Sequence, residues 1–212
     1  SESGKCVAKW MQQLGHCTFT GSRSDALMSV KGHIAEEAGV GLVESFDLST
    51  DEASLLRLLE AVFQFWETVQ FGPIIQGAAY EIKAPCAPRI TVMDGYATLD
   101  FDQWHMHICI GPTIGNPSDP TGPQIAAKRP CQLAQLYRLI REDGPVSWGV
   151  RLFNGDNEQL MTVLLPNPFL DQDDQPCEPN WERLALWDQL RSEFLNLDSD
   201  PFDRSARRFV HG

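Results

Sequence analysis

The chain has 212 residues, of which 42% are hydrophobic, so it can bury a core without disulfide or metal staples. Its 29 acidic and 17 basic residues give a net charge of −12, which repels phosphate backbones and argues against a nucleic-acid partner. No apolar run approaches the roughly 20 residues of a membrane-spanning helix. Six scattered cysteines without a C-x-x-C pair, and a start that lacks a signal-peptide pattern, favour a cytoplasmic location.

Residues 1–75 are predicted to form a helical N-terminal segment. The strongest helix spans residues 51–70, where Ser49 has the position of a capping residue and the broad apolar face implies burial. Gly39 follows a weaker helical stretch and has the position of a left-handed helix cap. The two shorter helices are predicted over residues 5–14 and 24–38.

From residue 76 the pattern changes to that of strands. Asp94-Gly95 is a pair that type I′ hairpins favour, and alternating apolar residues flank it on both sides. A turn or bulge is expected near Asp102-Gln103, because residues 96–110 are too many for one strand. Residues 111–124 are rich in Gly, Pro, Asn, Ser and Asp, which predicts a long loop that acts as a lid or a linker.

The second half alternates helical and strand patterns. The predicted elements are a helix over 130–140, strands over 147–153 and 158–165 around Asn154-Gly155, an acidic loop over 171–179, and a last helix capped by Asn180. This order predicts an α+β fold with an antiparallel sheet of about five strands (meander, helix, hairpin) and helices on one face. The N-terminal segment 1–75 would pack on an α+β core over 76–200, and the polar tail 201–212 would wrap or fray.

The stretch from Gln103 to Gly111 carries the strongest chemical signal. Apolar residues alternate there with His105, His107 and Cys109, so a strand would present two imidazoles and a thiol on one face. Imidazole and thiolate are ligands of Zn²⁺ and iron, and Cα atoms two residues apart on a strand are about 6.6 Å from each other. Cys109 would lie about 13 Å from His105, so it joins the same ion only if the strand bends.

These residues predict a metal-dependent enzyme acting on a small molecule, with His105, His107 and Cys109 as candidate ligands of zinc or iron and an open position for water or substrate. A non-catalytic binding or assembly protein for a metal or tetrapyrrole is the alternative. A third interpretation is an interaction domain with no ligand, in which the histidines lie on an ordinary sheet face. The dinucleotide-binding, P-loop, nucleophile-elbow and H-E-x-x-H motifs are missing, which argues against those enzyme classes.

One local resemblance bears on these alternatives. The run from His105 to Gly111, the later Leu136-Tyr137-Arg138, and the strand end at Asn154-Gly155-Asp156 are together similar to the core of the Stay-Green-type magnesium dechelatases of chlorophyll breakdown. The resemblance implies that His107 and Asp156 are acid and base groups at the metal of a tetrapyrrole. From its neighbours alone, Asp156 is first of all a turn residue.

Overall fold

An antiparallel sheet of seven strands is the largest element of the computed structural model, which describes residues 32–75 and 77–209. These residues belong to a unit that spans Lys31–Gly212, and the helix expected over residues 5–14 lies outside them. In spatial order the strands are β1 (His33–Glu37), β2 (Gly41–Leu48), β12 (Cys131–Arg141), β13 (Gly144–Asn154), β14 (Gln159–Leu164), β3 (Gln70–Gly72) and β6 (Ile82–Lys83).

Smaller sheets and short helices complete the described part of the chain. A three-stranded meander contains β7 (Arg89–Met93), β8 (Tyr96–Asp100) and β9 (His105–Cys109), and two-stranded pairs join β4 (Ile74–Ile75) to β5 (Ala78–Ala79) and β10 (Gly115–Asn116) to β11 (Asp119–Pro120). The helices are α1 (Glu52–Phe63), α2 (Pro123–Lys128) and α3 (Ala185–Leu195), with 3₁₀ turns at Trp181–Leu184 and Pro201–Arg204. No helix in residues 32–75 and 77–209 is long and apolar enough to cross a bilayer. The α+β class with an antiparallel sheet is confirmed, although the main sheet has seven strands and not about five.

The core lies between the main sheet and the two longer helices. Helix α1 buries Leu55, Leu58 and Phe63, and it packs against α3. Helix α3 covers β2, where the Trp187 and Phe46 rings meet edge to face with centroids 6.4 Å apart. The placement of the helices on one face of the sheet stays a prediction. Helix α1 ends at residue 63 and not near residue 70; turns over residues 64–68 follow it, and strand β3 begins at Gln70.

Strand β12 is the clearest difference from the sequence prediction, which made residues 130–140 a helix. It is an inner strand, paired with β2 on one side and β13 on the other. Leu136 and Tyr137 are adjacent and therefore face opposite sides of the sheet, yet both are buried, at 0% and 9% exposure. A strand covered on both faces does not need to alternate apolar and polar residues, so its pattern resembles that of a buried helix.

Residues 33–48 also differ from the prediction, because they form the β1–β2 hairpin where the sequence predicts helix. Gly39 in the connecting turn and Gly41 at the start of β2 have φ angles of 76° and 105°. A helix does not continue through these conformations, which glycine adopts without steric cost. Gly39 is thus a turn glycine and not a helix cap. The first part of the 24–38 helix prediction lies outside the described residues.

Asp51 caps helix α1, a role that the sequence prediction assigned to Ser49. Its carboxylate accepts hydrogen bonds from the Ser49 hydroxyl and, at 2.9 Å, from the Ser54 backbone N–H. These hydrogen bonds, with that of Ser49 the largest cause, lower the pKa of Asp51 to about 2. The ionised cap is therefore more favourable in the folded chain than in the unfolded one.

We expect Asp51→Asn to flatten the acid dependence of stability. Because the folded-state pKa of Asp51 is depressed, its contribution is present above about pH 4 and is lost as the pH falls towards about 2. Asparagine also caps helices but does not titrate. Urea midpoints measured from pH 7 to pH 2 should show the two proteins converging below pH 4, with Asp198→Asn as an exposed control. A gap that stays constant with pH would contradict this role.

The C-terminal segment contributes a buried carboxylate to the core. Asp203, in the 3₁₀ turn Pro201–Arg204, is 0% exposed. It accepts hydrogen bonds of 2.8 Å from Arg138 Nη1 and from the indole N–H groups of Trp148 and Trp187. Arg138 also forms ion pairs with Glu44 at 2.6 Å and Asp200 at 2.9 Å. This part of the expected tail is therefore fixed against the sheet and α3.

Candidate functional site

The meander β7–β9 presents a polar face to one side and an apolar face to the core. Ala97, Leu99 and Ile108 alternate with the polar residues and are buried, at 0%, 0% and 4% exposure. The strand register places the residues of the other side in three rows: Arg89, Asp100 and His105; Thr91, Thr98 and His107; Met93, Tyr96 and Cys109. We call these nine residues the outer face.

His105 and His107 lie side by side on the outer face, and both are exposed. Their ring centroids are 4.9 Å apart, with an angle of 66° between the planes. The predicted strand and its alternation are thus confirmed. His107 Nδ1 lies 2.8 Å from Thr98 Oγ1. In the tautomer in which Nδ1–H donates to Thr98, Nε2 carries the lone pair, and metal-ligating histidines are commonly oriented by such a second hydrogen bond.

Asp100 places a negative charge directly opposite His105. Its carboxylate accepts a hydrogen bond of 3.0 Å from the Asp102 backbone N–H and another from Arg89 Nη2. The Asp102 backbone N–H and then Arg89 lower the pKa of Asp100. The first row of the outer face therefore contains the cation Arg89, the ionised carboxylate of Asp100 and the imidazole of His105.

Cys109, the third predicted ligand, has different surroundings from the two histidines. It is buried, at 4% exposure, and its thiol donates to the Gly111 carbonyl oxygen at 3.5 Å. Burial is the largest cause of the raised pKa of this thiol, so the thiolate that binds metals is disfavoured. Within the described ranges, no three His, Cys, Asp or Glu side chains are grouped so as to hold a metal ion. The outer face thus offers an incoming metal two imidazoles.

The segment 111–124, predicted as a loop without structure of its own, is anchored to the β7–β8 turn. The backbone N–H groups of Ile114 and Gly115 donate to the Asp94 carboxylate at 2.6 and 2.9 Å. The Gly111 N–H donates to the Gly95 carbonyl oxygen at 2.9 Å. Asp94 and Gly95 have φ angles of 48° and 75°, as the type I′ turn predicts. The segment also contains β10, β11 and the start of α2, so it is tied to the meander at several points.

Two apolar side chains beside this turn escaped the sequence prediction. Met93 and Ile114 are 80% and 77% exposed, more than the other exposed large hydrophobic residues of the described chain. Met93 directly precedes Asp94 in the chain, and the Ile114 N–H is bonded to the Asp94 carboxylate. We call Met93 and Ile114 the apolar lip. Met93 belongs to the last row of the outer face, so the lip borders the end opposite to Arg89.

Asp156 lies on a different element from His107. It is in the connection between β13 and β14, where its backbone N–H donates to Asn154 Oδ1 at 2.9 Å. Its carboxylate forms an ion pair of 2.7 Å with Lys128 Nζ. These contacts are those of a turn residue. His107 and Asp156 thus have separate partners, and their joint role in acid–base chemistry stays a prediction.

A family model matches residues 32–196, more than half of the chain. The chain belongs to DUF7676, a family of unknown function. No curated protein matches the sequence significantly. Among solved structures, the crystal structure of ChuX is similar with a TM-score of 0.44 and 12% identity, over 72% of this chain and 78% of that chain. The DUF7676 match contains the whole outer face and all seven strands of the main sheet, and it ends before Asp203.

Proposed function

We propose that this protein binds a planar metal complex of the tetrapyrrole type on the outer face and holds it without catalysing its chemistry. The observation that carries the proposal is the exposed imidazole pair of His105 and His107, with ring centroids 4.9 Å apart. The strand that presents them buries Ile108 in the core and pairs with β8, where Leu99 is buried. A rigid sheet with exposed donors suits a flat ligand.

The number of available donors favours a metal that arrives inside a macrocycle. A structural zinc site takes four protein ligands and a catalytic one takes three, whereas the iron of a haem needs only axial ligands from the protein. His105 and His107 point to the same side of β9, so they would lie on the same side of a bound macrocycle. His107, oriented by Thr98, would ligate the metal, and His105 would contact the ring beside it.

The surroundings of the pair favour holding over catalysis. Catalysis at a metal benefits from a closed site that excludes water, whereas both imidazoles are exposed. The nearest carboxylate in the strand register, Asp100, is engaged by Arg89.

We also propose a cytoplasmic location. It is supported by the free thiols of Cys86, Cys109, Cys131 and Cys177, which suit a reducing compartment.

Titration of the untagged protein with iron protoporphyrin IX tests the proposal. We expect a saturable shift of the main absorption band, since imidazole ligation changes the electronic structure of the iron. His107→Ala should weaken binding at least tenfold, which corresponds to about 1.4 kcal/mol, and His105→Ala should have a smaller effect. His33→Ala, an exposed histidine on β1, is the matched control. A flat titration, or a shift that persists in the His105→Ala/His107→Ala double variant, refutes the proposal.

The same variants separate this function from a metal-ion enzyme. Calorimetry with Zn²⁺ and with Fe²⁺, supported by elemental analysis of the purified protein, measures the affinity for bare ions. Weak binding of these ions, beside tight binding of the iron porphyrin, is the expected result. Tight, stoichiometric binding of a bare ion that disappears in the double variant would instead favour the enzyme.

A further inference from the structure

We infer that the ligand of the outer face is amphipathic, with an apolar edge on the apolar lip and acidic substituents directed towards Arg89. This inference rests on the proposed function and specifies the polarity of the ligand and its orientation on the face. It comes from the order of side chains along the meander, which places Met93 in the last row, His107 in the middle row, and Arg89 with His105 in the first row.

Hydrogen bonds hold the backbone beside both residues of the apolar lip in place. Single exposed hydrophobic residues are common and need no explanation. Here, however, the Asp94 carboxylate accepts the N–H groups of Ile114 and Gly115, which fixes the segment of Ile114 to the turn that follows Met93. Tyr96, directly opposite Met93 in the register, adds a half-buried aromatic ring to the same row. The lip thus extends an apolar and aromatic end of the outer face.

The opposite end of the outer face carries the cation Arg89, paired with the carboxylate of Asp100. The Arg89 side chain is 75% exposed, and the structure records its Nη2 bonded to the Asp100 carboxylate. A guanidinium has five N–H donors, which leaves Arg89 capacity to bind a ligand carboxylate in addition. Asp100 also holds the Arg89 side chain over the sheet, which reduces the entropy lost when a ligand binds.

The dimensions of the face agree with one ligand that reaches from the Arg89 row to Met93 and Tyr96, since Cys109 at the β9 end of the last row is buried. Residues two apart on a strand are about 6.6 Å from each other, so the Arg89 row and the Met93 row are about 13 Å apart. The distance from β7 across β8 to β9 is about 10 Å. The His107 row lies midway between the ends. A macrocycle centred there places its metal near the imidazoles, one edge on the apolar lip and the other edge beside Arg89.

Metal-free protoporphyrin IX and its dimethyl ester test the inference, because neither contains a metal for the histidines to ligate. Porphyrin fluorescence measures the affinity for both. Met93→Ser/Ile114→Ser should weaken binding of both compounds about tenfold or more, since two large apolar contacts are lost. Arg89→Gln should weaken binding of the dicarboxylate several-fold and leave the ester unchanged. Ile125→Ser, which removes a 46% exposed side chain on α2 outside the outer face, is the control.

The outcomes distinguish this inference from the proposed function. If the lip variant binds both compounds as tightly as the Ile125→Ser control, or if Arg89→Gln affects acid and ester equally, the inference is overturned, even where the iron porphyrin still depends on His107. If the lip and Arg89 variants behave as expected while the iron porphyrin spectrum ignores both histidines, the inference stands and the proposed function fails. If the wild-type protein binds neither compound, the inference is overturned.

Discussion

Replacing Asp203 by alanine should lower the free energy of unfolding by about 3–5 kcal/mol, because it leaves a buried cation and two indole donors without their acceptor. Asp203 is 0% exposed and accepts three hydrogen bonds of 2.8 Å. The Arg138 side chain is 5% exposed, so water does not replace the lost carboxylate. Arg138 keeps its ion pairs with Glu44 and Asp200 in the variant, which limits the decrease in the free energy of unfolding.

Urea unfolding followed by tryptophan fluorescence measures this effect, since Trp148 and Trp187 both donate to the altered side chain. Asp198→Ala, at an exposed position of the same segment, should change stability by no more than about 0.5 kcal/mol. Asp203→Asn retains one acceptor oxygen and the shape of the side chain, so a smaller loss is expected if the alanine variant does not fold. A loss below about 1 kcal/mol for Asp203→Ala would show that the network does not stabilise the fold as described.

Gly95→Ala should destabilise the chain by about 2–4 kcal/mol and displace the apolar lip. An L-residue in the left-handed region costs about 1–2 kcal/mol, and φ of Gly95 is 75°. A Cβ there would lie 2.4 Å from the Gly111 carbonyl oxygen and 2.5 Å from that of Pro112, so the backbone must move apart. That movement breaks the hydrogen bonds from Ile110 and Gly111 to the Gly95 carbonyl oxygen, each worth about 1 kcal/mol.

Gly39→Ala is a matched control that separates the conformational cost of an L-residue at positive φ from the cost of the close contacts at Gly95. Gly39 has a φ angle of 76°, but no atom of the described residues, apart from its own and those of its two chain neighbours, lies within 4 Å of a Cβ built on it. Gly39→Ala should therefore lower the free energy of unfolding only by the conformational cost of an L-residue at positive φ, about 1–2 kcal/mol. Thermal and urea unfolding of the two variants give the difference directly. Equal costs would contradict the close approach at Gly95. We further expect Gly95→Ala, and not Gly39→Ala, to weaken binding of metal-free protoporphyrin IX.

The sequence predicted those features whose cause is local. The Asp94-Gly95 turn follows from the conformations that these two residues tolerate, and Asn180 caps the turn before α3 as its side chain and position predict. Strand β9 was predicted because apolar residues on its covered inner face alternate with His105 and His107 on the outer face, where both are exposed. The histidine pair was found for the same reason.

Features that depend on distant partners were missed. Strand β12 was predicted as a helix because residues on both of its faces are buried, and its partner strand β2 is far away in the sequence. Asp203 was included among the polar residues of a tail, since its partner Arg138 is 65 residues away. The apolar lip was missed because it depends on the contact of segment 111–124 with Asp94. The signal available in the sequence was Met93, an apolar residue directly before the Asp94-Gly95 turn.

The order of strands in the main sheet has a consequence for how the chain folds. Strands β2 and β3 are made early, yet the three strands β12, β13 and β14 lie between them. During synthesis, the inner edge of β2 therefore stays without its partner until residues 134–140 have been made. Long-range pairing of this kind slows folding and exposes a strand edge to other chains. The antiparallel unit of β12, β13 and β14 pairs strands that are adjacent in the sequence, so it can form first. Strands β2 and β3 can then pair with its two edges.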